Sequence, residues 1–328
     1  MISIWTRYLP GILLLVGLAL VARVVSLVVP ANQLVGAIVL GALVGNVVGT
    51  PPRFDPGIQS YNHWLKIGIV LLGAQLIIGD LFATGPLVVL LVLGVLIVVL
   101  VVTELVGRNR GVNPRMRSLL GAGIGICGIS AVVAVAEGIR ARQEEIAYAV
   151  TTILVFDAVT LVLYPLVGTI LNLEPVTFGI WAGLTMFSTG PVAAAGFAHS
   201  GDAGTWAVLT KLVRNSLLGV IVIWFSLRFS GRDLEKENYG LQVWQSLPKF
   251  VIGFFLLAAL ASAGVFSAPL LSWFDRASQW AFLIAFVGLG FDLRLTRMRA
   301  ASLTPMLVTS VVFVTVSLLT LALLLVIL

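Results

Sequence analysis

The stretch WAVLTKLVRNSLLG (residues 206–219) carries Lys211 and Arg214 in an otherwise almost wholly apolar run. A cation near the centre of a membrane span costs roughly 3 kcal/mol on insertion scales, so such a group is paired or faces a polar cavity. A third intramembrane charge, Asp157, lies in EEIAYAVTTILVFDAVTLVLYP (residues 144–165). Counted along their runs, Asp157 and Arg214 sit at matching depths. Two readings follow. Asp157 and Arg214 form a structural ion pair joining two helices, or at least one cation holds an anionic substrate. Both can be true, because Asp157 can neutralise only one of the two cations.

A second chemical signal is glycine. GAGIGICGISAVVAVAEGI contains Gly121, Gly123, Gly125 and Gly128, with Cys127 and Ser130 beside them. Glycines in a membrane helix either let helices pack closely or mark an unwound segment. Four of them so close together predict a break. A helix restarting near Ser130 points its amides and positive dipole end into the protein, which suits an anion. AGLTMFSTGPVAAAG places Gly190 and Pro191 in a further interruptible segment, where Ser188 and Thr189 can donate hydrogen bonds. WAFLIAFVGLGFDLRL adds Gly288 and Gly290 ahead of Asp292, a coupling-ion ligand or a helix-end charge beside Arg294. Glu137, Glu144, Glu145, Arg140 and Arg142 read as a solvated cluster at a helix end. There is no metal-ligand spacing, phosphate loop or Ser–His–Asp grouping, so no enzyme, cofactor or metal is expected.

The elements that must position these groups are membrane helices. Of 328 residues, 59% are hydrophobic and 10% charged, and mean hydropathy is +1.10. So apolar a chain is a polytopic membrane protein. The fold class is all-α, with spans near 9–30, 33–49, 64–83, 85–106, 118–138, 145–171, 177–199, 204–228, 247–267, 277–293 and 303–327. Eleven spans put Arg7, Arg53, Arg108, Arg110, Arg115, Arg117, Arg228, Arg232, Lys236, Arg294, Arg297 and Arg299 on one side, against Arg140, Arg142 and Arg276 on the other. The bias places the N-terminus in the cytoplasm and the C-terminus outside the cell membrane. It also explains the net charge of +6 without nucleic acid.

Residues 1–30 form an extra N-terminal helix, 31–172 one five-helix repeat and 173–328 another, which holds a cytoplasmic linker at 228–242. Repeats of five spans enter from opposite sides, so the halves are inverted. Their discontinuous helices, the fifth and tenth spans, occupy matching places, as in a secondary transporter. A second similarity conflicts with this. At an offset of 58, Gly121, Gly125, Ser130, Gly138, Ala149, Val150 and Thr152 match Gly179, Gly183, Ser188, Gly196, Ala207, Val208 and Thr210. Two spans separate these copies, which implies a parallel repeat.

The stretches LKIGIVLLGAQL, GAGIGICGISAVVAVA, EEIAYAVTTILVFDAVTLVLYP, FGIWAGLT, VAAAG and TKLVRNSLL together resemble the YeiH-type sulfate exporter family. The resemblance implies a fold similar to sodium/proton antiporters and bile-acid symporters, with broken helices crossing at the midplane. Lys211 and Arg214 match the family's Lys-x-x-Arg. Where relatives carry a His–acid pair and a Gln, this chain has Phe187, Ser188 and Pro191, and Gln75 replaces an arginine.

The expected function is a secondary transporter of a small anion of the sulfate or organic sulfonate class. Its substrate groups are Cys127, Gly128, Ser130, Ser188, Thr189, Lys211 and Arg214, and its coupling-ion candidates are Asp157 and Asp292. The alternatives are a sodium/proton-type cation antiporter, a sodium-coupled organic anion symporter and, ranked lower, a passive channel. Expected partners are the anionic solute, sodium or protons, the lipid bilayer and a second copy in a homodimer, with no nucleic acid.

Overall fold

The computed structural model describes residues 2–28, 32–75, 78–230, 249–293 and 302–328. The linker beyond residue 230, and with it Arg232, Lys236, Arg294, Arg297 and Arg299, lies outside them. Among the described residues all regular structure is helical. In chain order the helices are α1 (Ile2–Val28), α2 (Gln33–Leu43), α3 (Asp55–Gln59), α4 (Tyr61–Leu72), α5 (Ile78–Asn109), α6 (Pro114–Gly125), α7 (Ile129–Gly138), α8 (Gln143–Ile170), α9 (Pro175–Thr185), α10 (Thr189–His199), α11 (Gly201–Ser216), α12 (Leu218–Ser230), α13 (Lys249–Ser262), α14 (Ala268–Asp292) and α15 (Leu303–Ile327). Five segments are long and apolar enough to cross a membrane: Arg7–Leu27, Gly85–Asn109, Gln143–Ile170, Gly201–Phe229 and Leu303–Ile327.

The chain forms two compact units. One comprises residues 1–83 and 249–295, the other 84–248 and 296–328. Each therefore takes helices from both of the five-helix halves read in the sequence. In the first unit α14 packs on α2 and α4. Gly290 lies against the Ile38 carbonyl on α2, Gly41 against the Val287 carbonyl, and Gly288 against the Tyr61 ring. A Cβ at any of these places would force the backbones apart. The expected break at Gly288 and Gly290 is thus corrected: α14 runs unbroken to Asp292, and these glycines serve close helix packing. Asp292 accepts a hydrogen bond from the Tyr61 hydroxyl.

The second unit overturns two of the expected spans. Residues 114–138 and 177–199 do not cross; each folds back as a pair of half-helices. Asn113 caps α6 by accepting from the Met116 amide at 2.9 Å, and Pro114 suits its first turn. Twelve residues carry α6 only about 18 Å, well short of a 30 Å hydrocarbon core. The chain then turns through Ile126–Gly128. Gly128 adopts φ 66° and ψ −127°, which a side chain disfavours. Within the hairpin Gly123 lies against Val132.

Both ends of this hairpin reach one face. Arg117, near the start of α6, pairs with Glu104 at 3.1 Å, and Glu104 pairs with Arg228 of α12 at 3.1 Å. Gly138, at the end of α7, packs on Ser226, two residues from Arg228. The second hairpin opens on the opposite face. His199, at the end of α10, reaches the Leu173 carbonyl at 3.0 Å, just before α9 begins. Its ring stacks on Phe178 at 4.1 Å. Gly168, near the end of α8, lies against Phe178.

This geometry removes the conflict over the offset of 58. A hairpin followed by a long helix, α6–α7–α8, repeats as α9–α10–α11–α12. Since the hairpins do not cross, only α8 separates the copies, and the second copy is inverted. It also corrects the charge allotment. Arg140 and Arg142, between α7 and α8, join the face of Arg108, Arg110, Arg115, Arg117 and Arg228. The opposite-face connections at 171–174 and 200–202 contain Glu174 and Asp202 and no Lys or Arg.

Candidate functional site

The two hairpin tips meet inside the second unit. The Ser188 hydroxyl, at the tip of α9–α10, abuts Gly128 at the tip of α6–α7, so closely that no Cβ would fit there. At each tip one helix ends and another begins, leaving C-terminal carbonyls and N-terminal amides without helical partners.

Arg214 takes up the carbonyls of both tips. It is 1% exposed. Its Nε donates to the Gly125 carbonyl at 2.5 Å and its Nη2 to the Ile124 carbonyl, both at the end of α6. Its Nη1 donates to Leu184 at 2.7 Å and Met186 at 2.9 Å, at the end of α9. A helix C-terminus carries about half a negative charge. Two such ends therefore roughly balance one guanidinium, and the planar fork suits several acceptors at once. Arg214 holds the two tips together.

The expected Asp157–Arg214 ion pair is not formed. Among the described residues the ion pairs are Arg117–Glu104, Arg142–Glu145 and Arg228–Glu104. Asp157, 4% exposed, accepts instead from the Ser188 amide at 3.0 Å. It caps α10, whose positive end stabilises the carboxylate. The reason is competition: helix-end carbonyls already surround the guanidinium, and helix-end amides are available to the acid.

Lys211 differs from Arg214. It is 0% exposed, yet makes a single hydrogen bond, to the Met186 carbonyl at 2.9 Å. An ammonium has three donors, so two are left over. Cys127 is buried at the first tip, one residue before Gly128. Thr189 opens α10 and its hydroxyl accepts from Asn215 Nδ2 at 3.1 Å. Gly190 and Pro191 fall in the first turn of α10, where proline breaks no helical hydrogen bond. The interruption itself lies at Met186–Ser188, ahead of them. Ser130 does not join the cluster; it sits on an exposed face of α7. Asp292 belongs to the first unit.

The second hairpin is braced from outside. Tyr164 on α8 bonds Thr185 at 2.6 Å and Ser317 on α15 at 3.0 Å, and stacks on Trp181 at 4.0 Å. Trp181 Nε1 donates to the Ser317 carbonyl at 3.1 Å. Sequence reasoning passed over Asn215, 3% exposed at the end of α11. The signal for it was present, because the offset of 58 that aligns Thr152 with Thr210 also aligns Asp157 with Asn215.

Five groups of charge thus meet at the tips. Arg214 is balanced by two helix C-termini. Lys211 and the N-termini of α7 and α10 together carry about two positive charges, against one from Asp157. On this count the cluster is about one negative charge short of balance.

Residues 10–309 match the model of the family described as conserved hypothetical protein 698. A UPF0324 membrane protein of Nitratidesulfovibrio vulgaris is 31% identical over 91% of this chain and 87% of its own length. The UPF0324 membrane protein TauZ of Paracoccus denitrificans is 32% identical over 80% of this chain and 78% of its own. A UPF0324 membrane protein of Pseudomonas aeruginosa is 32% identical over 84% and 81%. No solved structure matches the chain. The chain belongs to this UPF0324 family of membrane proteins, the same family as the YeiH-type proteins its motifs resemble.

Proposed function

We propose that this protein is a secondary transporter of a small anion of the sulfate or organic sulfonate class. The carrying observation is Lys211: a fully buried ammonium with one hydrogen bond, in a cluster short of one negative charge. An oxyanion seated at the tips supplies that charge and the missing acceptors. The membrane character of relatives such as TauZ supports transport over catalysis. The lack of a convergent nucleophile in the sequence points the same way.

The arginine-bearing face is the cytoplasmic one by the positive-inside rule, so the first hairpin opens inward and the second outward. The substrate is bound where half-helices meet, as discontinuous helices bind anions in other carriers. Arg214 is structural in this reading, and Lys211 carries the substrate charge.

The test is uptake of labelled sulfate, methanesulfonate or phosphate by proteoliposomes holding wild-type protein, Lys211→Gln or Asp157→Asn. Saturable uptake lost in Lys211→Gln supports the reading. Cation exchange lost in Asp157→Asn, with no anion uptake by the wild type, supports the cation antiporter instead.

A further inference from the structure

Lys211 and Arg214 converge on one oxygen. Lys211 Nζ donates to the Met186 carbonyl at 2.9 Å, and Arg214 Nη1 donates to the same carbonyl at 2.9 Å. The guanidinium directs its other N–H groups to Ile124, Gly125 and Leu184, and it keeps its charge throughout the physiological range. The ammonium has no such company. Lys211 is 0% exposed and, among the described residues, forms no ion pair. Two like charges that share one acceptor in a buried place repel, and a buried charge without a counter-charge is costly.

Few titratable groups face Lys211. They are Arg214 on its own helix, Asp157 from α8 and Cys127 from the first tip. Asp202 stands at the other end of α11, in its first turn. Of the helices packed on α11, α9 carries no titratable residue. α10 carries only His199, at its far end against the Leu173 carbonyl, and α12 only Arg228, which pairs with Glu104. Asp157 accepts from the Ser188 amide at the positive end of α10, which holds its charge in place. Charge balance at the tips then has two solutions. An anion supplies the missing negative charge, or Lys211 gives up its proton and the charge is no longer missing. A carrier that alternates its access passes through both a loaded and an unloaded form.

Resting on the anion-transport reading above, we infer that Lys211 is the proton-coupling group: it takes up a proton together with the anion, which makes the protein a proton–anion symporter. On loading, the neutral amine, one proton and the anion become an ammonium paired with the anion. The proton comes from the water on the open side, and on the other side it leaves with the anion as the amine is restored. No carboxylate changes its charge in this cycle. The coupling is reciprocal, because each of the two charges stabilises the binding of the other.

The test is calorimetric titration of the full-length protein in detergent with sulfate at neutral pH, in buffers of differing ionisation enthalpy. Sulfate and methanesulfonate hold no proton at that pH, so any proton taken up belongs to the protein. Uptake of about one proton per bound sulfate is expected, with affinity rising as pH falls. In proteoliposomes, methanesulfonate and one proton together move no net charge, so an inward proton gradient of about one pH unit should accumulate the anion about tenfold. Lys211→Arg keeps a fixed positive charge. It should bind sulfate without proton uptake and show no gradient-driven accumulation. Asp157→Asn and Cys127→Ala should keep a ratio of about one proton per bound sulfate. Wild-type protein that binds sulfate with no proton uptake overturns the inference and leaves the transport reading standing, whatever the variants do. Proton uptake that persists in Lys211→Arg overturns it as well, as does its loss in Asp157→Asn or Cys127→Ala while sulfate still binds. Wild-type protein that neither binds nor takes up sulfate, methanesulfonate or phosphate overturns the transport reading, and the inference with it.

Discussion

Two glycine-rich segments of this chain end up in opposite states. GAGIGICG breaks into two half-helices at Ile126–Gly128, whereas VGLGFD runs through Gly288 and Gly290 as continuous helix. Glycine content does not separate them. What separates them is the company each keeps. The first segment meets a buried guanidinium that accepts the carbonyls a break releases. At Gly288 and Gly290 the second meets the Tyr61 side chain and the backbone of α2, so a break there would leave polar groups unsatisfied. Glycine permits a break; a partner for the freed backbone decides whether it happens.

The largest test of that comparison is Arg214→Ala. It orphans carbonyls on both tips at once, and breaking such a buried charged network typically costs about 3–5 kcal/mol. Unfolding in detergent should show a loss of that order, with Arg214→Lys recovering only part because an ammonium lacks the planar fork. Retention of wild-type stability by Arg214→Ala would break the comparison.

Next in size is a pair of glycine substitutions. Gly128→Ala puts a side chain at positive φ and into the Ser188 hydroxyl, for a loss of roughly 2 kcal/mol. Gly290→Ala pushes α14 off the Ile38 carbonyl, for a loss of about 2 kcal/mol by overpacking. Their stabilities should thus fall together while their functions part. Only Gly128→Ala should abolish the sulfate-dependent thermal shift. Equal loss of ligand response in both would erase the distinction between a tip glycine and a packing glycine.

Smaller still is Lys211→Met. Removing a buried ammonium that makes one hydrogen bond should leave unfolding stability within about 1 kcal/mol of wild type, even as anion uptake disappears. A loss as large as that of Arg214→Ala would show that both cations are structural. The smallest effect is a control on α5: nothing lies within 4 Å of where a Gly94 Cβ would stand. Gly94→Ala should raise stability by no more than about 1 kcal/mol, measured by the same unfolding experiment.

Three of the groups gathered at the hairpin tips were readable from residue type alone. Lys211, Arg214 and Asp157 stand out because charge in a membrane span needs a partner. Their pairing was not readable. The expected Asp157–Arg214 bridge assumed side chains as partners, and the partners turned out to be helix-end carbonyls and amides, which every residue type carries. Asn215 escaped notice for a related reason: an amide carries no charge, and its place became informative only once Asp157 was known to cap a helix.

The sequence by itself determined that the chain is an all-helical membrane protein, that a helix restarts near Ser130, and that one internal similarity repeats at an offset of 58. Asn113 and Pro114, and then Pro175 and Ser188, are local start signals with local physics. Only the tertiary structure decided that residues 114–138 and 175–199 turn back instead of crossing. A half-helix pair and an interrupted span have the same length and hydropathy. They differ in which helix end lies near which, and that is set by contacts such as Gly138 on Ser226 and His199 on Leu173. Those contacts join positions far apart in the chain, and they turn an apparently parallel repeat into an inverted one.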